Sequence, residues 1–163
     1  MKIYSNRTSS CFKDLNSKQS KIITIEGKEF VELTNIIFDL NFDKHILKEK
    51  LELPNNNDKK EREYLISRLP EVINVLNRDI NSRRAVFTNL YDNNLGKCIS
   101  LVHFFVREGK VNLNTYFRSQ EASKNFFYDY QTHMILIKKV SDKLKLEPGK
   151  ITIFVANFHL EIK

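Results

Sequence analysis

The sequence predicts an α+β domain with several strands and roughly three segregated helices. Three observations predict it. Residues 98–118 read as a hairpin whose arms are rich in Val, Ile, Phe, Tyr and Thr. Apolar residues recur every three or four positions across 59–78 and 122–145. No internal repeat, low-complexity tract or glycine-rich phosphate loop breaks the chain.

Each element follows in order. Residues 1–26 read as short strands, with KIITIEG running through Ile22, Ile23, Thr24 and Ile25 into a turn at Gly27. Phe30, Leu33, Ile36, Ile37 and Leu40 then have helical spacing, so a first helix is expected there. Residues 41–61 turn polar, and Pro54 with Asn55–Asn57 marks a loop. A second helix over 59–78 buries Leu65, Leu69, Val72, Ile73 and Leu76, and Pro70 either kinks it or starts a new one. RRAVFTNL at 83–90 reads as a strand, followed by a turn at Asp92, Asn93, Asn94 and Gly96. The hairpin pairs CISLVHFFVR with KVNLNTYFR about Glu108–Gly109. The long helix over 122–145 carries Phe127, Tyr130, Met134, Ile137 and Leu144 as its stripe; LEPGK closes it and KITIFVANFHLEI is a final strand.

Composition narrows the class. The 163 residues, 41% hydrophobic and 29% charged, suit one globular domain over 1–163 and exclude wholesale disorder. No apolar run approaches the roughly 20 residues of a membrane span. The N-terminal MKIYSNRTSSCF lacks a secretory apolar stretch. Two cysteines, Cys11 and Cys98, make neither a disulfide framework nor a zinc quartet, so a reducing cytoplasmic setting is the expectation. A net charge of +7 favours anionic partners: nucleic acid, nucleotides or other phosphorylated molecules.

The chemistry-bearing residues are few. Asn6-Arg7-Thr8, Ser82-Arg83-Arg84 and Arg118-Ser119 set guanidinium groups beside small polar side chains, and Arg107 stands nearby in sequence. Such groups supply the charge-assisted donors a phosphomonoester needs, although single surface arginines are commonplace. Cys98 reads either as a small buried hydrophobe or as a nucleophile activated by arginines. His159 either packs within its strand or takes part in a site. Asp129, near a helix start, reads as a solvated charge favoured by the helix dipole unless a site claims it.

Taken together these residues resemble thymidylate synthase and its relatives. The family's cysteine, aromatic strand, Gly-Lys turn, returning strand and Arg-Ser appear as Cys98-Ile-Ser-Leu-Val-His-Phe-Phe-Val, Glu108-Gly109-Lys110 and Tyr116-Phe117-Arg118-Ser119, with no gap in spacing. Leu146-Glu147-Pro148-Gly149 resembles the family's LEPG turn, and Asn157-Phe158-His159 its Asp-x-His. Asn81-Ser82-Arg83-Arg84-Ala85-Val86 resembles its paired-arginine segment, and Asn6-Arg7-Thr8 its N-terminal phosphate-binding arginine. The likeness covers most of 71–163 and, more weakly, 1–40.

The resemblance implies a shortened thymidylate synthase-like α+β fold with a large mixed twisted sheet, and a pyrimidine-nucleotide C5 one-carbon transferase. Cys98 would add to C6 of the base. Arg7, Arg118 and Ser119 would hold the 5′-phosphate, with Arg83 and Arg84 reaching across a homodimer. His159 would also contact substrate. Phe104, Phe105, Tyr116 and Phe117 would form a sheet-to-sheet interface. Asp129 falls where thymidylate synthases carry asparagine and cytosine-specific relatives carry aspartate. A carboxylate accepts from a 4-amino group and repels the carbonyl of uracil, so dCMP or CMP is favoured over dUMP and the transferred group is hydroxymethyl or a related one-carbon unit. The donor implied is 5,10-methylenetetrahydrofolate, and the catalytic glutamate of the first helix falls nearest Glu32, with Asn35 as the alternative register.

Several positions depart from the family. There is no tryptophan; Asn125 and Phe127 replace a glycine and a proline, His103 a glutamine, and Glu161 a tyrosine. The 41–70 region is short, and the sequence ends at Lys163 where the family continues with a segment closing over folate. The nucleotide-phosphate apparatus is the better retained part on this reading. Two other functions stay open: a nucleotide-binding sensor or regulator, and a basic nucleic-acid-binding protein, for which no recognised motif is present.

Overall fold

Two Glu-Gly turns organise the strands in the computed structural model, which describes residues 2–5, 8–17, 20–50, 56–89 and 98–162. Strand β2 (Lys21–Ile25) passes through Glu26 at φ 51° and Gly27 at φ 78° into β3 (Lys28–Asn41). Strand β5 (Ile99–Arg107) passes through Glu108 at φ 54° and Gly109 at φ 70° into β6 (Lys110–Phe117). Positive φ at both central residues gives a tight turn whose twist matches the strands it joins.

With β1 (Lys2–Ser5), β4 (Val86–Thr88), β7 (Gln120–Glu121) and β8 (Glu147–Glu161), these strands build an eight-stranded sheet of order β1-β3-β8-β6-β5-β4. Strand β2 pairs β3 and β7 pairs β8 beside that path. Pairs β1–β3, β6–β8 and β7–β8 are parallel and the others antiparallel. The α+β expectation and its large mixed sheet hold.

The helices are α1 (Thr8–Leu15), α2 (Asn56–Ser67), α3 (Leu69–Arg78) and α4 (Lys124–Leu144). Phe38, Phe104, Phe117 and Phe158 from the sheet are fully buried with Phe126, Met134, Ile137 and Val140 of α4. Helix α3 adds Leu69, Val72 and Leu76, one face at three- and four-residue spacing, and Pro70 sits in its first turn, where a missing N–H costs nothing. None of the helices among the described residues is long and apolar enough to cross a membrane.

Several expectations are corrected. The first helix is not over 30–40, which belongs to β3. Asn35 there has φ 54°, and the buried side shifts phase across it, from Leu33 to Ile36, Phe38 and Leu40. The step of three across that kink imitates helical spacing in a strand. A short helix, α1, occupies residues expected to be extended. Helix α2 starts at Asn56, inside the expected loop, and ends before α3, so Pro70 starts a new helix. Strand β4 is confined to three residues, and the turn expected at 92–96 lies outside the described residues. On α4 the buried stripe runs through Phe126, while Phe127 is 46% exposed. Strand β8 already begins at Glu147, so all of LEPG but Leu146 is part of the sheet: a Cβ on Gly149 would lie 2.5 Å from Asn112 Oδ1 and 3.1 Å from the Val111 carbonyl. Of the four aromatic residues expected at an interface, Phe104 and Phe117 face the core instead, because alternation along each strand sends only Phe105 and Tyr116 to the side without helices.

Candidate active site

The edge where β5 begins and β6 ends is closed by the Arg118 N–H donating to the Cys98 carbonyl at 3.0 Å. The chain then enters β7, which lies parallel to the end of β8 with Gln120 opposite Phe158 and Glu121 opposite His159. Ala122 N–H donates to the His159 carbonyl at 2.8 Å, and Ser119 Oγ lies 3.4 Å from His159 Nδ1. Buried Gln120 donates from Nε2 to Asp129 Oδ2 at 3.0 Å. Cys98, Arg118, Ser119, Asp129 and His159 thus meet at one end of the sheet, although 61 positions separate the first from the last.

Charge at this end is mixed. Cys98 is exposed, yet the protein around it disfavours the thiolate and raises the thiol above its ordinary value, chiefly by desolvation. The Arg118 charge pulls it down; Glu61, Asp129 and Asp58 push it up. The other thiol, Cys11, is buried and pushed up to about 12, chiefly by desolvation. Asp129 is pushed up to about 8, first by desolvation, with Glu61 and Asp58 adding to the rise while the Gln120 bond and Arg62 oppose it. A carboxyl in that state is a neutral acid at pH 7, offering one donor and one acceptor.

Helix α2 supplies the wall beside Asp129. Arg62 donates from Nε to Thr132 Oγ1 at 2.7 Å, from Nη2 to the Tyr128 carbonyl at 3.0 Å, and from both Nη atoms to Gln131 Oε1 at 3.3 Å. Its guanidinium also sits 3.7 Å from the Tyr128 ring centroid. Glu61 Oε1 accepts from Asn89 Nδ2 at 2.5 Å. Sequence reasoning missed Asp58, Glu61, Arg62 and Asn89. DKKEREYL reads as a solvated helix by composition, and only its packing against α4 and the end of β4 gives it a part in the site.

Of the other expected residues, one adjoins this cluster. Glu32 is on strand β3, not on a helix, in register with His159. Opposite residues of an antiparallel pair share a face, so Glu32 stands beside His159 at the β8 side of the cluster. Arg83 and Arg84 are exposed ahead of β4, next to Ala85, whose carbonyl accepts from Phe104 N–H at 2.8 Å. At about 3.3 Å per residue along β5, they lie roughly 20 Å from the Cys98 of their own chain. Arg7 lies outside the described residues. A cavity of about 860 Å³ opens at the far end of the sheet, around Phe105, Arg107, Lys110 and Lys150, and is separate from this cluster.

The sequence profile of thymidylate synthase matches residues 49–161. The thymidylate synthase of Mycoplasma genitalium is 27% identical over 100 residues, covering 58% of this chain and 35% of that protein. The matched chain therefore spans about a third of the length of that curated relative. The profile runs across β5, β6, α4 and all of β8, the elements that bring Cys98 to Asp129, and over a stretch exceeding two thirds of the sequence this chain belongs to the thymidylate synthase family.

Proposed function

We propose that the protein is a pyrimidine-nucleotide C5 one-carbon transferase in which Cys98 attacks C6 of a cytosine nucleoside monophosphate. The observation that carries the reading is the convergence of Cys98, Arg118, Ser119, Asp129 and His159 at one sheet end. Arg118 and Ser119 supply charge-assisted and hydroxyl donors to the 5′-phosphate, and Arg7 belongs to the same role. Each charge-assisted bond contributes on the order of 1.5–3 kcal/mol.

Asp129 reads the base edge. In either protonation state it accepts from a 4-amino group, so cytosine is accommodated on both sides of pH 8. Only the neutral acid donates to the O4 of uracil. Cytosine nucleotides, dCMP or CMP, are therefore favoured over uracil nucleotides once Asp129 ionises, above about pH 8. Arg83 and Arg84, exposed and remote from their own Cys98, serve the site of a second copy in a homodimer.

The family uses methylenetetrahydrofolate as its one-carbon donor. The sequence has no tryptophan to stack on a pterin. Phe127, the exposed ring two positions from Asp129, already stacks on Phe12 at 6.0 Å with 2° between planes. No step here runs through folate, and the proposal ends at the C5-activated nucleotide.

A thermal-shift panel of dUMP, UMP, dCMP and CMP tests anchoring and base choice together, since binding to the folded state raises stability by mass action. Above pH 8 the cytosine nucleotides are expected to give the larger shifts, with the uracil shifts falling as pH rises through about 8. Release of tritium from C5 tests the attack, because addition at C6 labilises that hydrogen; Cys98→Ala is expected to abolish release and keep the shift. Full release in Cys98→Ala would refute the covalent step. The desolvation that raises the Cys98 thiol, with the nearby carboxyls adding to it, favours a second reading, a nucleotide-binding relative without turnover. Binding with no tritium release in the unmodified protein would select it.

A further inference from the structure

Helix α2 carries a carboxylate that the nucleotide contacts do not use. Glu61 is fastened by Asn89, which is 2% exposed and donates to it at 2.5 Å. The Asn89 backbone N–H donates to the Ser100 carbonyl at 3.1 Å, so this carboxylate is pinned over β5 two residues from Cys98. The four Arg62 bonds to α4 fix the adjoining position of the same helix. Glu61 is thus held on a rigid mount near the start of β5, close enough for its charge to bear on both Cys98 and Asp129.

We infer that Glu61 is the proton acceptor that converts Cys98 from thiol to thiolate, directly or through one water. The inference rests on the reading of Cys98 as the nucleophile. The S–H bond breaks, the proton bonds to a Glu61 carboxylate oxygen, and the electron pair stays on sulfur for attack at C6; nothing is oxidised or reduced. The charges that bear on Cys98 are Arg118 from the end of β6, Asp58 and Glu61 from α2, and Asp129 from α4. A fixed anion beside a thiol opposes its ionisation. A proton acceptor beside it loses its own charge as the thiolate appears, so transfer to Glu61 removes one opposing charge in the step that needs it gone. Arg118 then faces the sulfur with one anion fewer in competition.

The assignment predicts two effects of opposite sign in Glu61→Gln, which keeps the shape and an acceptor for Asn89. Alkylation of Cys98 by iodoacetamide, followed against pH and resolved by peptide mass from buried Cys11, shifts toward acid and speeds several-fold at neutral pH, because the anion is gone. Tritium release from C5 of the bound nucleotide slows by about a hundredfold, the lower end of what a lost proton-transfer group costs. Glu61→Asp recovers part of that release. An unshifted alkylation profile overturns the coupling. A shifted profile with tritium release at the unmodified rate overturns the proton-transfer role, and a fall in both rates marks Glu61 as structural and overturns it too. If the unmodified protein releases no tritium from any of the four nucleotides, it is the functional reading that fails, and the alkylation profile still decides whether Glu61 controls the thiol.

Discussion

Asp129 and His133 lie one helical turn apart and titrate in opposite senses. His133 Nδ1 is 2.5 Å from the Asp129 carbonyl, and its buried ring is pushed down to about 4, chiefly by desolvation. Asp129 is pushed up to about 8 from 3.8. The folded state therefore binds more protons at Asp129 than the unfolded chain between those values, and this site's contribution to stability falls as pH rises through that window. At His133 the folded state binds fewer protons between about 4 and the ordinary 6.5, and stability rises with pH there. The two slopes oppose each other up to pH 6.5, and from there to about 8 only the decline due to Asp129 remains. Asp129→Asn, a neutral isostere, should remove that decline. Urea midpoints at pH 6.5 and 8 are expected to drop in the unmodified protein and stay level in the variant; equal drops would place the ionisation elsewhere.

The element that decides the site's shape is α2, and Arg62 is its attachment. Gln131 receives two Arg62 bonds and passes its own Nε2 to the carbonyls of Ile46 and Glu49 at 2.9 and 2.8 Å. One guanidinium therefore links α2, α4 and the turn at Ile46–Lys48. Arg62→Met retains the apolar stem and leaves the Tyr128 carbonyl, Thr132 and Gln131 short of donors. A loss of about 3 kcal/mol is expected from stranding such groups, read by chemical denaturation. The hairpin turns, by contrast, are local: Gly27 and Gly109 have open space where a Cβ would stand, so their requirement is positive φ alone.

At the scale of the whole sheet, one face carries no helix among the described residues. It exposes Tyr116 at 44%, Phe154 at 38% and Val86 at 44%, in a band crossing β4, β6 and β8. A second copy covering this band would bury those rings and bring its Arg83 and Arg84 toward a neighbouring site. Light scattering is expected to give about twice 19.3 kDa, and Phe154→Glu to return the mass to that of one chain. Nucleotide thermal shifts should shrink together with the dimer if the arginines act in trans. A single-chain mass in the unmodified protein, with full nucleotide shifts, would remove the homodimer from the proposal.

Much of the fold was legible because its signals are local. Alternation, Glu-Gly turns and three-to-four spacing mark the β5–β6 hairpin, α3 and α4, and the motifs from Cys98 to His159 keep the family's order. Where a local signal misled, a tertiary cause is visible: the kink at Asn35 gave a strand the spacing of a helix, and Glu32 was drawn to the wrong element with it. By itself the sequence determined the α+β class, the family and the candidate side chains Cys98, Arg118, Ser119 and Asp129 of the proposed site. Only the tertiary structure decided that a polar helix would bring Asp58, Glu61 and Arg62 to them, and how burial would change their charge, because Coulomb interaction and desolvation depend on distance in space and not on separation along the chain.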